Sequence, residues 1–256
     1  MTTLNSVVAF FAHPDDETVM AGGIIALLAE KGVNVQVVCA TRGEGGELGE
    51  PPLVESQDLI GTVREQELRC AVNTLGANLT VLDYVDPAIT EGETLHAFDA
   101  DFDTLSGQFA DMIKEHQAQL VLTHGSDGEY GHPAHKLVNK AVSNAIKTYR
   151  PDTLLYTIAA YIPDQQAEDR LLNKSDIAHY VLNIDTWADQ KIKAMECHIS
   201  QHALFKRRRK LKTVAEALRS IESVHRVHPE WNSTNAPQDA FTTLLIDGGA
   251  WSPQHI

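Results

Sequence analysis

Five apolar runs, separated by stretches of helical composition, constrain the fold of this chain more than any other feature. SVVAFFA (6–12), VNVQVVCA (33–40), LTVLDYV (79–85), AQLVLTH (118–124) and TLLYTIA (153–159) are short and apolar, as strands covered on both faces are. Between them MAGGIIALLAEKG (20–32), VREQELRCAVNTLGA (63–77), TLSGQFADMIKEHQ (104–117) and HPAHKLVNKAVSNAIKTY (132–149) read as helices. Gly32 stands where a C-cap is wanted, and Pro133 falls in a first turn, where its missing N–H costs nothing. The alternation implies an α/β fold: a Rossmann-like, mostly parallel sheet with right-handed crossovers and helices on both faces. Beyond about residue 186 the pattern turns helical, and AFTTLLID (240–247) is a candidate for a return to the sheet edge. No repeat or low-complexity linker interrupts the chain, so one domain over 1–256 is expected. Its core would run to about 185, with a C-terminal helical or edge elaboration over about 186–256.

Charge narrows the partners. With 35 acidic and 21 basic residues the formal net charge is −14, which disfavours nucleic acid, whose binding relies on Lys and Arg neutralising phosphates. Cys39, Cys70 and Cys197 are odd in number and widely spaced. They suggest neither a disulfide framework nor a thiolate zinc site, and two of them read as inert buried thiols. The first residues lack a basic n-region, and no run approaches the ~20 apolar residues of a membrane span, so a cytoplasmic protein without a membrane span is expected.

Open α/β sheets bind ligands outside the carboxyl ends of their strands. Three polar loops, within 13–17, 41–50 and 124–135, follow strands and therefore share that edge. His13 and Asp16 are three apart in the first; His132 and His135 are three apart at a helix start. Two imidazoles and a carboxylate, with positions left open, make a common catalytic zinc site, and a further carboxylate supplies a general base. Each cluster alone also has an ordinary reading, as surface polarity or, for Asp15, Asp16 or Glu17, as a helix N-cap. His124, ending the fourth strand, is placed to tune a ligand by a hydrogen bond. KRRRKLK (206–212) reads as a solvated helix face, and His198 and His202, four apart on a helix, have metal spacing but read first as structural or pocket-rim residues. TRGEGGELG (41–49) does not open a helix as a dinucleotide loop does.

AHPDDE (12–17) together with YGHPAH (130–135) resembles the LmbE-like/PIG-L family of zinc-dependent de-N-acetylases. The likeness runs in order through about the first 150 residues, including TRGEGGELG and VREQELRCAVNTLG, and KIKAMECHISQ (191–201) extends it. The resemblance implies one Zn2+ per chain held by His13, Asp16 and His135. It makes Asp15 the general base, and His132 an imidazolium that stabilises the tetrahedral oxyanion. Tyr130 would add a hydrogen bond from a loop, and Arg64 and Glu47 would contact substrate at the rim. The implied activity is removal of an N-acetyl group from an N-acetylglucosamine-containing sugar or glycoconjugate. The alternatives are an amidase on another N-acyl substrate, or a zinc-retaining sugar-binding protein with weak turnover. The resemblance also implies a homo-oligomer, a trimer or hexamer. Family members commonly read His-Pro-Asp-His, whereas this chain has Ala134, which removes a carboxylate partner from His132. Asp127 and Glu129 are the nearby carboxylates available to replace it.

Overall fold

A computed structural model describes residues 3–88, 94–163, 171–207, 209–231, 233 and 235–253. Strands β1 (Ser6–Phe11), β2 (Asn34–Thr41), β3 (Asn78–Tyr84), β4 (Leu120–Thr123) and β5 (Leu154–Ile158) pair in parallel. A short pair, β6 (Ala160–Tyr161) and β7 (Asn173–Ile177), lies apart from them. β8 (Tyr180–Asn183) and β9 (Ile221–His228) complete a seven-stranded sheet of order β3-β2-β1-β4-β5-β9-β8, with β9 antiparallel to both neighbours.

The continuous apolar character of β1 follows from burial on both faces. Val7, Ala9 and Phe11 pack on one side with α1 (Asp16–Glu30), α2 (Gln57–Thr74), α5 (Ala188–Cys197) and α7 (Ala240–Asp247). Val8 and Phe10 pack on the other with α3 (Phe102–Glu115) and α4 (Pro133–Tyr149). A short α6 (His202–Arg207) follows α5. Strand order reverses between β1 and β4, whose carboxyl ends therefore flank a crevice, the usual ligand position in such sheets.

Three expectations change. AFTTLLID is α7, started by a capping box in which Asp239 accepts from Thr242 N–H and Asp239 N–H donates to the Thr242 hydroxyl. Two orphan N–H groups are thereby satisfied at its start, and the sheet edge is β8 instead. β9 comes from the C-terminal third yet sits inside the main sheet. Finally, Cys70 and Cys197 form a disulfide, 127 residues apart, that ties α2 to the end of α5; Cys39 is the free, buried thiol. Closing so long a loop restricts the unfolded chain, so Cys70→Ser should lower stability by about 2–4 kcal/mol. Denaturant unfolding of the variant against the oxidised parent checks this.

Candidate active site and metal centre

The turn after β1 delivers His13, the start of α1 delivers Asp16, and α4 delivers His135. Their donor atoms converge: His135 Nε2 lies 3.3 Å from both His13 Nδ1 and Asp16 Oδ1, and His13 Nδ1 lies 3.4 Å from Asp16 Oδ2. A tetrahedral ion with bonds of about 2.0–2.1 Å sets its donors about 3.3–3.4 Å apart. With one Asp16 oxygen facing each imidazole, the three residues converge at about the spacing of donors around one zinc-sized ion. All three are buried. Burial opposes charge on Asp16, but His135 and His124 outweigh it and keep the carboxyl well below its usual range, ionised as a ligand must be.

Two other groupings compete for the same space: His13, His132 and His135, and Asp16, His124 and His135, each with donor atoms within 4.8 Å of one another. Hydrogen bonds decide between them. Ala12 N–H donates to His124 Nε2 at 3.0 Å, which occupies that lone pair. Burial opposes charge on His124, while Glu129 and Asp16 push its pKa up to about 9. The Ala12 contact nonetheless requires Nε2 to accept, which leaves the proton on Nδ1, 3.2 Å from Glu129 Oε2. Similarly, His132 caps α4: its Nδ1 accepts from Ala134 N–H at 3.2 Å. In the neutral ring Nε2 then bears the proton and is a donor, not a ligand.

Against the imidazolium that the resemblance implies stand this acceptor role of Nδ1 and burial, which with His13 and His135 pushes the pKa of the His132 ring down to about 3. Neither proposed substitute for a carboxylate at 134 reaches it. Asp127 instead accepts from Ser175 N–H and its hydroxyl, and Glu129 turns to His124 and His135. Ala134 itself is fully buried in the apolar layer with Phe10 and Val138, where a carboxylate would be desolvated.

Asp15 occupies the N-cap of α1 at φ 103°, a left-handed conformation that is strained for a non-glycine residue. Its N–H donates to Glu17 Oε2 at 3.0 Å, and Glu17 in turn meets His198 Nε2 at 3.1 Å. Burial raises the Asp15 pKa to about 6, with Arg64 opposing. Arg64 is 4% exposed and holds this turn in place. Its Nη2 donates to Pro14 O at 2.6 Å and lies 3.5 Å from Asp15 Oδ2, while Nη1 donates to Gly43 O at 2.9 Å. The glycines of TRGEGGELG allow that approach: a Cβ on Gly43 would come within 2.1 Å of Arg64 Nη1, and Gly43 has φ +69°. Glu47 sits at the rim, gripped by both Arg207 terminal nitrogens at 2.8 Å.

A cleft of about 1460 Å³ gathers His13, Asp15, Asp16, Glu47, Arg64, Tyr130 and His132 among its lining residues. Tyr130 is half-exposed, its ring edge-on to His132 and His135 at 5.7 and 5.6 Å. Sequence reasoning missed Asp86, just past β3, whose Oδ1 lies 3.2 Å from His13 Nε2. A carboxylate closing a strand on the ligand edge was the available signal. His198 and His202 do not pair: His198 is buried against Glu17, and His202 Nε2 meets Glu196 O at 3.0 Å.

Comparison with known proteins agrees with the geometry. A 1D-myo-inositol 2-acetamido-2-deoxy-alpha-D-glucopyranoside deacetylase of Segniliparus rotundus is 34% identical over 160 residues, 56% of this chain and 50% of that protein. The chain thus spans about half the length of the curated relatives it matches. Among solved structures, the 4-carboxy-2-hydroxymuconate hydratase of Pseudomonas putida superposes with a TM-score of 0.60 at 24% identity, over 90% of this chain and 99% of that one. The N,N'-diacetylchitobiose deacetylase of Pyrococcus horikoshii gives 0.57 at 19% identity, over 77% and 71%. These two likenesses establish a shared fold. Residues 8–146, which carry β1 to most of α4 and both histidine motifs, match the family model described as PIG-L, GlcNAc-PI de-N-acetylase; this chain is a member of the PIG-L family.

Proposed function

We propose that the cleft belongs to a zinc-dependent hydrolase that removes the N-acetyl group from an N-acetylglucosamine-containing sugar or glycoconjugate. The observation that carries this reading is the convergence of His13 Nδ1, His135 Nε2 and the Asp16 carboxylate, one oxygen toward each ring at 3.3–3.4 Å, with Asp15 beside them. A zinc ion held there would supply Lewis acidity, polarising an amide carbonyl and bringing water within reach of deprotonation near neutral pH.

The chain's own residues do the rest. Asp15, raised to about 6, accepts the proton of the attacking water and returns it to the leaving amine. Arg64 fixes the turn that aims Asp15. His132, neutral and with its proton on Nε2, donates to the carbonyl oxygen as negative charge develops there, a role worth about 3–4 kcal/mol for one such donor. Tyr130 adds a hydroxyl from the open side of the cleft. Glu47, at the rim, meets sugar hydroxyls in this reading once its pair with Arg207 opens. The deacetylase named among the relatives acts on an acetamido sugar, which supports the substrate class.

A hydratase shares this fold, and water addition to a double bond would use the same base. Incubating the zinc-loaded protein with N-acetylglucosamine, N,N'-diacetylchitobiose and N-acetylglucosaminyl-inositol separates the two. Equimolar acetate and free amine from at least one compound are expected. A zinc-loaded protein that releases acetate from none of them, yet hydrates an unsaturated carboxylate, would overturn the proposal.

A further inference from the structure

The loop from β4 to α4 carries a carboxylate to which the family-derived site assigns no role. Glu129 is 4% exposed, and its Oε2 lies 2.5 Å from His135 Nδ1 and 3.2 Å from His124 Nδ1. The two rings stack with centroids 3.9 Å apart and planes 14° from parallel, so one oxygen serves both edges. Its other oxygen accepts from Gly125 N–H at 2.9 Å and from Asn173 Nδ2–H at 3.1 Å. Asn173 also holds the backbone, because Glu129 N–H donates to Asn173 Oδ1 at 2.9 Å.

Asn173 itself is fully buried at the start of β7, and its Nδ2 also meets Ile158 O and Ala159 O at 3.0 and 3.2 Å. Glu129 has φ +59°, a region a non-glycine residue keeps only where its surroundings over-determine it. The bonds to Asn173 and Gly125 are what over-determine it. A Cβ on Gly125 would fall 1.9 Å from Asn173 Cγ, so the loop has been built around this side chain.

Resting on the zinc site proposed above, we infer that Glu129, set in place by Asn173, is the positioning residue of the metal centre. It orients His135 directly and holds the ring of His124, which stacks on His135 with centroids 3.9 Å apart. A carboxylate that accepts from Nδ1–H of a ligand histidine fixes its tautomer and makes Nε2 a stronger donor to the ion.

The test reads metal affinity, not turnover. Glu129→Gln keeps the shape but removes the charge, and should weaken Zn2+ binding by about 10–100-fold in a chelator competition, with the Co2+ visible bands shifted. Asn173→Asp, which removes the donor to Glu129 Oε1, should move both readouts in the same direction and serves if the first variant does not fold. Ser175→Ala is the control, since it removes the hydroxyl bond to Asp127 of the same loop (2.7 Å), leaving the N–H bond, without touching an imidazole. It should leave Zn2+ affinity within about twofold, roughly 0.4 kcal/mol. Unchanged affinity in a folded Glu129 or Asn173 variant overturns the inference, as does an equal loss in Ser175→Ala, which would make Glu129 a loop anchor only. A parent protein that binds no Zn2+ defeats the metal site and this inference together. A parent that binds Zn2+ but deacetylates nothing defeats only the proposed reaction.

Discussion

Asp15→Asn is expected to keep its zinc and lose about 10²–10⁴-fold in kcat. The amide has the size of the carboxylate and leaves the α1 turn intact, because that turn is held by main-chain groups: Arg64 donates to Pro14 O, and Asp15 N–H donates to Glu17. What the variant lacks is a group able to accept a proton. Burial and Arg64 act on Asp15 in opposite directions, and the net result, about 6, suits a base working near neutral pH. Steady-state kinetics with elemental analysis on the same sample check the split. Near-normal turnover would move the base elsewhere. Asp16→Ala should behave in the opposite way, losing metal before anything else, since its carboxylate oxygens face His13 and His135 at ligand spacing.

His135→Ala should abolish stoichiometric zinc, and activity with it. Its Nε2 is the one donor within 3.3 Å of both other ligands, so its removal leaves two donors where three are required. The cost extends past the metal. The ring is fully buried between His124 and His132, with centroids 3.9 and 4.6 Å away. Deleting it opens a cavity and strips Glu129 of its shortest contact, which together should lower stability by about 2–4 kcal/mol. Elemental analysis and denaturant unfolding measure the two effects separately; a full zinc complement in the folded variant would refute the ligand set.

The parallel half of the sheet was legible because β1, β2, β4 and β5 are buried along almost their whole length, and such apolar runs stand out between helical stretches. β9 was not, since IESVHRVH mixes ionisable and apolar residues although it lies inside the sheet, where Arg226 pairs with Asp239 at 3.3 Å. AFTTLLID is ambiguous as an eight-residue apolar run. The cap formed by Asp239, one residue upstream, was the signal that it is a helix. The Cys70–Cys197 bond joins residues whose proximity only the packing of α2 on α5 creates. Within the site, His13, Asp16, His132 and His135 were readable because each pair lies inside one short motif. The partners of Glu129 and Asp86 depend on strand order and on a left-handed loop residue, which local spacing does not encode. The Nδ1 partner of His132 was hidden for a related reason: it is the Ala134 main chain, which no side-chain inventory displays.

Hydrolysis of an N-acetyl amide by water is the centre of this account, and isotopic water tests it most directly. The zinc-loaded protein would be incubated in H2(18O) with the N-acetylglucosamine conjugate, and the products weighed by mass spectrometry. The predicted result is acetate carrying one 18O atom, in equal amount to a free amine that has gained none. A product that keeps its acetyl group and gains one labelled water, or acetate without label, would contradict it.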